Sequence, residues 1–543
     1  MIVLFMVFKY QLCFPENSFN LSGKYKGYNV ILIISECLRP DYLSCYGYPK
    51  RSSPSIDLLA QQGVLFNNAF SQASLTLPSV VSIFTSLYPF SHGVRYIFKD
   101  KVPEKVYTLA QILKIYGYST VWFGAINDPH TGKGNGVLKG FNEKYDLWEQ
   151  NSPKENYSVI LNWLKKHRRE NFFIMVHSYL THESIFPYMK FNNEFTYNIS
   201  NKCRAFFNTI IPEKFWKNLQ DMLQNNQSYI YKTLGEEWIK KHKEYCMQPY
   251  SPERAKAIFN MVETPEQRIT LQTIYCVTFF PYFKSFDEVF LSDFYSLLDG
   301  AIFELDKNLI GELISELKCF KIYDKTIIII TTAHGTEYNE HGHMSHGQFL
   351  YDESIHIPLV MYLPGLNNPL KNDELVQSID ILPTLLDLLA IPIPYQAQGI
   401  SLAGLMEGKN NALINKYVFS WAVIGDPLSS IRSKYWKFIQ KLNIQKPNKD
   451  LIDSIPWLKS WLQNIRSKGE AGNNMMGGEL FNLQEDKYEK NNLITINPEV
   501  AKDLKRCLDL KLNSLLKYQN GDSEFMPGLS EETKERIKKT GYW

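Results

Sequence analysis

Three short segments carry residues whose types and spacing could do chemistry together. The first is Glu36-Cys37-Leu38-Arg39-Pro40-Asp41, where a carboxylate follows an apolar run. A carboxylate at the mouth of a strand can hold a divalent cation. The second is Thr76-Leu77-Pro78-Ser79-Val80. Pro78 suits the first turn of a helix, which puts Thr76 at a helix N-terminus, where unpaired N–H groups and the positive dipole end favour an anion. A hydroxyl there can attack a phosphorus or sulfur centre if a metal lowers its pKa. The third segment is Thr332-Ala333-His334-Gly335, followed by His341, His343 and His346, so a short stretch holds four of the chain's 11 histidines. Neutral imidazoles ligate metals, and protonated ones donate to a leaving group. Taken singly, each segment has an ordinary alternative: Glu36 as a loop or capping residue, Thr76 as a helix cap, the histidines as a solvated loop. The Gly-rich run Gly132-Lys133-Gly134-Asn135-Gly136 reads as a plain loop rather than a phosphate cradle.

The elements that must position these residues are legible as pattern. Tyr28–Ser35, Phe172–Val176 and Thr326–Ile330 are unbroken apolar runs. Runs of this length read as strands buried on both faces, which implies a parallel sheet. Helical patterns lie between them at Pro54–Gln62, Pro78–Ser86, Phe294–Leu317 and Leu382–Leu389. The fold class expected is therefore α/β: a layered, mostly parallel sheet flanked by helices. In such sheets chemistry gathers at the carboxyl ends of the strands. Glu36 and Cys37 follow the first strand, His177 and His182 the middle one, and His334 the late one. Three separate segments thus deliver polar groups to one edge.

The chain has 543 residues, too many for one simple core. Residues 1–28 are expected as an N-terminal tail or a degenerate signal or anchor. Residues 29–410 are expected as the catalytic domain, with a helical, aromatic insert at 192–286 that would roof the pocket. Residues 411–543 are expected as a smaller C-terminal α+β subdomain, with a polar stretch at Ser467–Gly478. Apolar content of 44% is ordinary for a globular protein. A net charge of +3, from 59 basic and 56 acidic residues, gives no electrostatic footprint for nucleic acid. The eight cysteines are scattered without a Cys-x-x-Cys pair, which argues against a structural zinc site. Met1–Phe8 is apolar, too short to span a bilayer, and lacks a basic start and a cleavage site. It leaves a soluble, an extracytoplasmic and a membrane-proximal location open, and membrane contact with them.

In order, spacing and context the segments resemble the sulfatase family of the alkaline phosphatase superfamily. NVILIISECLRPDYLSCYGY resembles the family's opening strand and metal loop. The run from Ser53 to Arg95, with SLTLPSVVSIFTSLYPFSHGVR at its end, resembles its nucleophile segment. FFIMVHSYLTHESIFPY resembles its central histidine segment. The run from Asp299 to Gly365, with TIIIITTAHGTEYNEHGHMSHG, resembles its second metal segment. QSIDILPTLLDLLAIPIPYQAQGISL and GELFNLQEDKYEKNNL resemble its closing parts. The resemblance implies an alkaline-phosphatase-like fold and one divalent metal ion (Ca, Mn, Mg or Zn) held by Glu36, Thr76 and His334. It implies a nucleophile at Thr76, a leaving-group or oxyanion contact at His182, and a further pocket-lining group at His346. His182 or His346 would protonate the leaving group. Sulfatases proper carry Asp at the position of Glu36; Glu there resembles the relatives that transfer phosphoethanolamine or glycerol phosphate.

Two positions depart from the family pattern. Sulfatases mature a Cys or Ser, in a Cys/Ser-x-Pro-x-Arg motif, into formylglycine. Here the residue is Thr76 and the Arg position is Val80, so no formylglycine is expected. A Thr ester cannot eliminate sulfate and must be resolved by water or an acceptor, a double displacement that suits phosphoryl groups well. The residue before His334, normally an Asp that ligates the metal, is Ala333. A hard cation wants carboxylate oxygens, so this loss weakens binding unless Thr332 or Glu337 substitutes through a water. The function expected is a metal-dependent hydrolase or transferase that cleaves a sulfuric or phosphoric ester, sulfatase-like or phosphodiesterase-like, through Thr76. Its substrate would be a small-molecule, glycan or lipid-headgroup ester. The alternative is a catalytically impaired binding protein on the same scaffold, with Ala333 as its cause.

Overall fold

The computed structural model describes residues 20–95, 100–126, 131–132, 134–147, 153–182, 200, 203, 206, 210–224, 234–258, 261–264, 267, 270–271, 274, 278, 287–366, 369–409, 414–422, 424, 427–442 and 478–519. Met1–Phe8, Lys133, most of the 192–286 insert and Ser467–Met476 lie outside them.

The three apolar runs are the centre of a nine-stranded sheet. Its strands are β1 (Asn29–Ser35), β2 (Gly63–Phe70), β3 (Ser119–Gly124), β4 (Glu143–Asp146), β5 (Phe172–Ser178), β6 (Thr326–Thr331), β9 (His356–Ile357), β10 (Leu359–Tyr362) and β11 (Leu370–Gln377), with the two-residue pair β7 (Glu337–Tyr338) and β8 (Met344–Ser345) apart from it. The order is β11-β2-β10-β6-β1-β5-β3-β4, with β9 on β2. Every pairing is parallel except those of β9 and β10. The expected mostly parallel α/β sheet is what the chain forms.

The strands read as unbroken apolar runs because both faces are covered. Successive side chains of a strand point to opposite faces. Ile31, Ile33, Ile174, Val176, Ile328 and Ile330 enter one cluster. Val30, Leu32, Ile34, Phe173, Met175, Ile327 and Ile329 enter the other. The first face is covered by α1 (Pro54–Gln61), the helix Pro153–His167 and the helix Glu288–Leu305. The second is covered by α2 (Thr76–Thr85), the helix Leu109–Ile115 and the helix Ile381–Leu388.

Two helices differ from their sequence patterns. The long amphipathic run continues from Glu288 to Cys319, with a π-helical turn at Asp306–Gly311 in its middle. α2 begins at Thr76, two residues before Pro78. A proline is tolerated there because the first N–H groups of a helix have no intrahelical acceptor to lose. Thr76 is therefore inside the helix rather than capping it; the cap position is Leu75.

Within the insert, the helix Ile211–Gln224 sends Ile211, Phe215, Trp216, Leu219 and Leu223 into the first hydrophobic cluster. The apolar residues recur every three to four positions and so form one face. That face is continuous with the first hydrophobic cluster. The C-terminal part has an antiparallel sheet of β12 (Val418–Ala422), β13 (Leu428–Arg432), β14 (Trp436–Lys441) and β15 (Glu479–Asn482), with the helix Pro498–Gln519 against it. Among the described residues, no helix is long and apolar enough to cross a membrane.

Candidate active site

β1 lies between β5 and β6, and the register pairs Ile34 with both His177 and Thr331. The three strands therefore end at one level. Glu36 and Cys37 leave β1 there, His177 stands near the end of β5, and His334 follows β6 by three residues. Thr76 reaches the same point from the first turn of α2 on the second sheet face.

Thr76, Glu36 and His334 meet closely. The Thr76 hydroxyl lies 3.2 Å from Glu36 Oε2 and 3.0 Å from His334 Nε2. The His334 ring nitrogen lies 3.4 Å from Glu36 Oε2. All three side chains are buried. The segment before Thr76 is clamped by the C-terminal sheet. Trp421 N–H donates to Gln72 O (3.0 Å), Ser74 N–H to Trp421 O (3.4 Å) and Ser420 Oγ to Ser71 O (2.6 Å). Part of the position of Thr76 is thus set by residues more than three hundred positions later.

The tautomers follow from fixed acceptors. His334 Nδ1 is 2.7 Å from the Gly335 carbonyl oxygen, which only accepts. The ring hydrogen is on Nδ1, so Nε2 presents a lone pair. His177 Nε2 is 2.6 Å from Glu36 Oε1 and donates to that carboxylate. Burial alone would raise the Glu36 pKa. The hydrogen bond from His177 and the nearby imidazoles of His177, His334 and His182 outweigh it and hold the carboxyl down to about 2. Burial, and then His346, push His334 down to about 3, so it is neutral at physiological pH. An imidazole lone pair and a carboxylate oxygen therefore face each other at 3.4 Å, with one hydroxyl hydrogen between them. That is a place that favours a cation, and it is the test on which the donors fit a divalent ion.

The remaining histidines form the open side. His346 stacks obliquely on His334, with ring centroids 4.4 Å apart, and meets His182 edge-on at 5.1 Å. Both are half-buried, in contrast to Thr76, Glu36 and His334. The five residues singled out from the sequence, Glu36, Thr76, His182, His334 and His346, thus come to one cluster. Ala333 is fully buried and offers no donor.

Sequence reasoning left two residues without a role. His177 is within β5, in phase with Phe173 and Met175, and so points to the face that α2 covers. A histidine in phase with buried apolar residues is the signal that could have assigned it. Its neighbour Gly124 lets the strands approach: a Cβ there would lie 2.8 Å from His177 Cβ and 3.0 Å from its carbonyl oxygen. The stretch Trp122-Phe123-Gly124 is thus the backing of His177, with the Trp122 ring 5.5 Å from its imidazole. Cys37 is the second. It sits in the left-handed region, at φ 60°, with Sγ 3.7 Å from His346 Nδ1.

Residues 28–391 match the sulfatase family model, and residues 339–453 match the model described as N-sulphoglucosamine sulphohydrolase, C-terminal. The N-acetylgalactosamine-6-O-sulfatase of Bacteroides thetaiotaomicron is 24% identical over 89% of this chain and 92% of its own length. A solved structure in complex with its substrate D-glucosamine-2-N,6-O-disulfate superposes with a TM-score of 0.59, at 19% identity over 92% of this chain and 99% of that one. The phosphonate monoester hydrolase of Agrobacterium radiobacter does so with a TM-score of 0.57, at 18% identity over 90% and 95%.

Proposed function

The chain belongs to the sulfatase family, and from that premise we propose that it hydrolyses a sulfate ester of a glycan or small molecule, with Thr76 as nucleophile and no formylglycine. The observation that carries this reading is the Thr76 hydroxyl within hydrogen-bond reach of both Glu36 and His334 at the carboxyl edge of three adjacent strands. The sulfatase relatives favour sulfate. The phosphonate monoester hydrolase neighbours make phosphoryl and phosphonyl esters the next candidates, with transfer to an acceptor alcohol as the variant of the second step.

In the first step the Thr76 proton passes to Glu36 Oε2. Thr76 Oγ bonds to the sulfur, the bond to the leaving oxygen breaks, and that oxygen takes a proton from His182 or His346. In the second step water attacks the same centre and gives a proton to the histidine that lost one, the bond from sulfur to Thr76 Oγ breaks, sulfate departs, and Thr76 Oγ takes its proton back from Glu36. Glu36 is a weak base, held at about 2, so it takes that proton only from a hydroxyl whose own pKa has been lowered. A divalent cation held beside Thr76, with His334 among its ligands, would supply the charge that lowers the hydroxyl pKa. His177 keeps Glu36 ionised and oriented throughout.

The alternative of a non-catalytic binding protein has no support among the similar proteins. Metal analysis of the purified protein, with turnover of p-nitrophenyl sulfate, phosphate and phosphodiester probes, tests the proposal. Stoichiometric metal and release abolished in Thr76→Ala are expected. Release that survives Thr76→Ala, or no release on any probe after metal supplementation, overturns it.

A further inference from the structure

We infer that the cation of this site is a borderline-soft divalent ion, zinc before calcium or magnesium, held by Cys37 Sγ, His334 Nε2 and His346 Nδ1. The inference rests on the reading that the site works with a divalent cation. Among the described residues, Cys37, His334 and His346 form a group of ligand atoms that all lie within 4.8 Å of one another.

The geometry suits a tetrahedral ion. With zinc–sulfur and zinc–nitrogen bonds of the usual lengths, sulfur and nitrogen on one zinc are roughly 3.5 Å apart. Cys37 Sγ and His346 Nδ1 are 3.7 Å apart. His334 is already prepared as a ligand: its Nδ1–H is committed to the Gly335 carbonyl, which orients the ring and leaves Nε2 free to coordinate. Three protein ligands with a fourth position open is the pattern of a catalytic zinc rather than a structural one. Thr76 Oγ lies 3.0 Å from His334 Nε2, against roughly 3.3 Å expected for two ligands of one zinc, so it would be within reach of that fourth position.

The hard-cation alternative lacks donors. Calcium wants six to eight oxygens and magnesium a near-ideal octahedron. Ala333 gives none, and one oxygen of Glu36 is taken by His177. Cys37 is 1% exposed, where a thiolate is stable only with a cation beside it. Its left-handed backbone, which a non-glycine residue rarely adopts, accompanies this placement of the sulfur.

The assignment also sorts the proton transfers. With His334 Nε2 on the ion, Thr76 gives its proton to Glu36 Oε2, 3.2 Å away. With His346 Nδ1 on the ion, His182 is the group that protonates the leaving oxygen.

The test is elemental analysis of protein equilibrated with equimolar calcium, magnesium, manganese and zinc, followed by cobalt(II) substitution. Stoichiometric zinc is expected, with retention reduced by more than about tenfold in Cys37→Ser. The cobalt protein should show a thiolate-to-cobalt charge-transfer band that Cys37→Ser abolishes and Thr76→Ala keeps. Preference for calcium, magnesium or manganese, no bound ion, or a wild-type cobalt protein without a thiolate band overturns the inference, and the wild-type spectrum decides even if Cys37→Ser does not fold. Zinc with a thiolate band but no turnover leaves this inference standing and sinks the proposed activity. Turnover that depends on Thr76 and calcium does the reverse.

Discussion

Thr76 Oγ stands 3.0 Å from His334 Nε2 although 258 positions separate the two residues. The contact exists because α2 begins beside the edge at which β6 ends, and because the hydrogen on His334 Nδ1 is held by the next carbonyl. The hydroxyl is thereby aimed at a lone pair and at the carboxylate of Glu36 at once.

If that hydroxyl is the nucleophile, its presence matters more than its methyl. Thr76→Ser should keep measurable turnover of p-nitrophenyl sulfate, whereas the near-isosteric Thr76→Val should lose about 10³-fold or more in kcat. Equal activity in the two variants would remove Thr76 from the chemistry.

His177 is expected to act on Glu36 rather than on substrate. His177→Ala leaves a buried carboxylate oxygen without its donor, which costs about 1–3 kcal/mol by urea unfolding. His177→Gln, which can return an N–H, should recover part of both stability and kcat. Gly124→Ala should mimic the loss without touching the histidine, because the new Cβ meets His177 Cβ at 2.8 Å. Overpacking of this kind costs about 1–3 kcal/mol. Wild-type stability and kcat in Gly124→Ala would show that the close approach is not needed.

The buried His92 sets a pH dependence of stability. Val94 N–H donates to its Nδ1 (3.0 Å), so Nε2 carries the hydrogen and donates to Ser82 Oγ (3.1 Å). Burial pushes its pKa down to about 3 from 6.5. A folded pKa below the unfolded one means the folded state resists protonation. Stability is full above pH 6.5 and drains as the pH falls toward 3, by up to about 1.4 kcal/mol per pH unit. Between pH 7.5 and 5.0, His92→Asn should therefore lose about 2 kcal/mol less than the wild type in urea unfolding. Identical losses in the two proteins would contradict a neutral His92.

Ala333 marks where a carboxylate is missing. Ala333→Asp places a charge at a fully buried position and should cost about 3–5 kcal/mol in the absence of metal. Calcium or manganese should then raise the Tm of the variant more than that of the wild type. A variant indifferent to both ions would show that this position does not face the cation.

Much was determined by the sequence itself. The runs at β1, β5 and β6 announce a parallel sheet because a strand covered on both faces has no polar side to show. Such strands end in loops, so Glu36, His334 and His182 were legible as edge residues. The order and spacing of these segments also carried the family and hence the pocket. The tertiary structure alone decided the rest, because it depends on which elements become neighbours. That Glu36 pairs with His177 follows from β5 lying beside β1 and from the room Gly124 leaves, and neither is a property of either segment. That Thr76 sits inside the first turn of α2 follows from Pro78 being harmless where no hydrogen bond is lost, and from β12 clamping residues 71–74. That Cys37 stands 3.7 Å from His346 follows from one left-handed residue, a backbone choice its side chain does not announce.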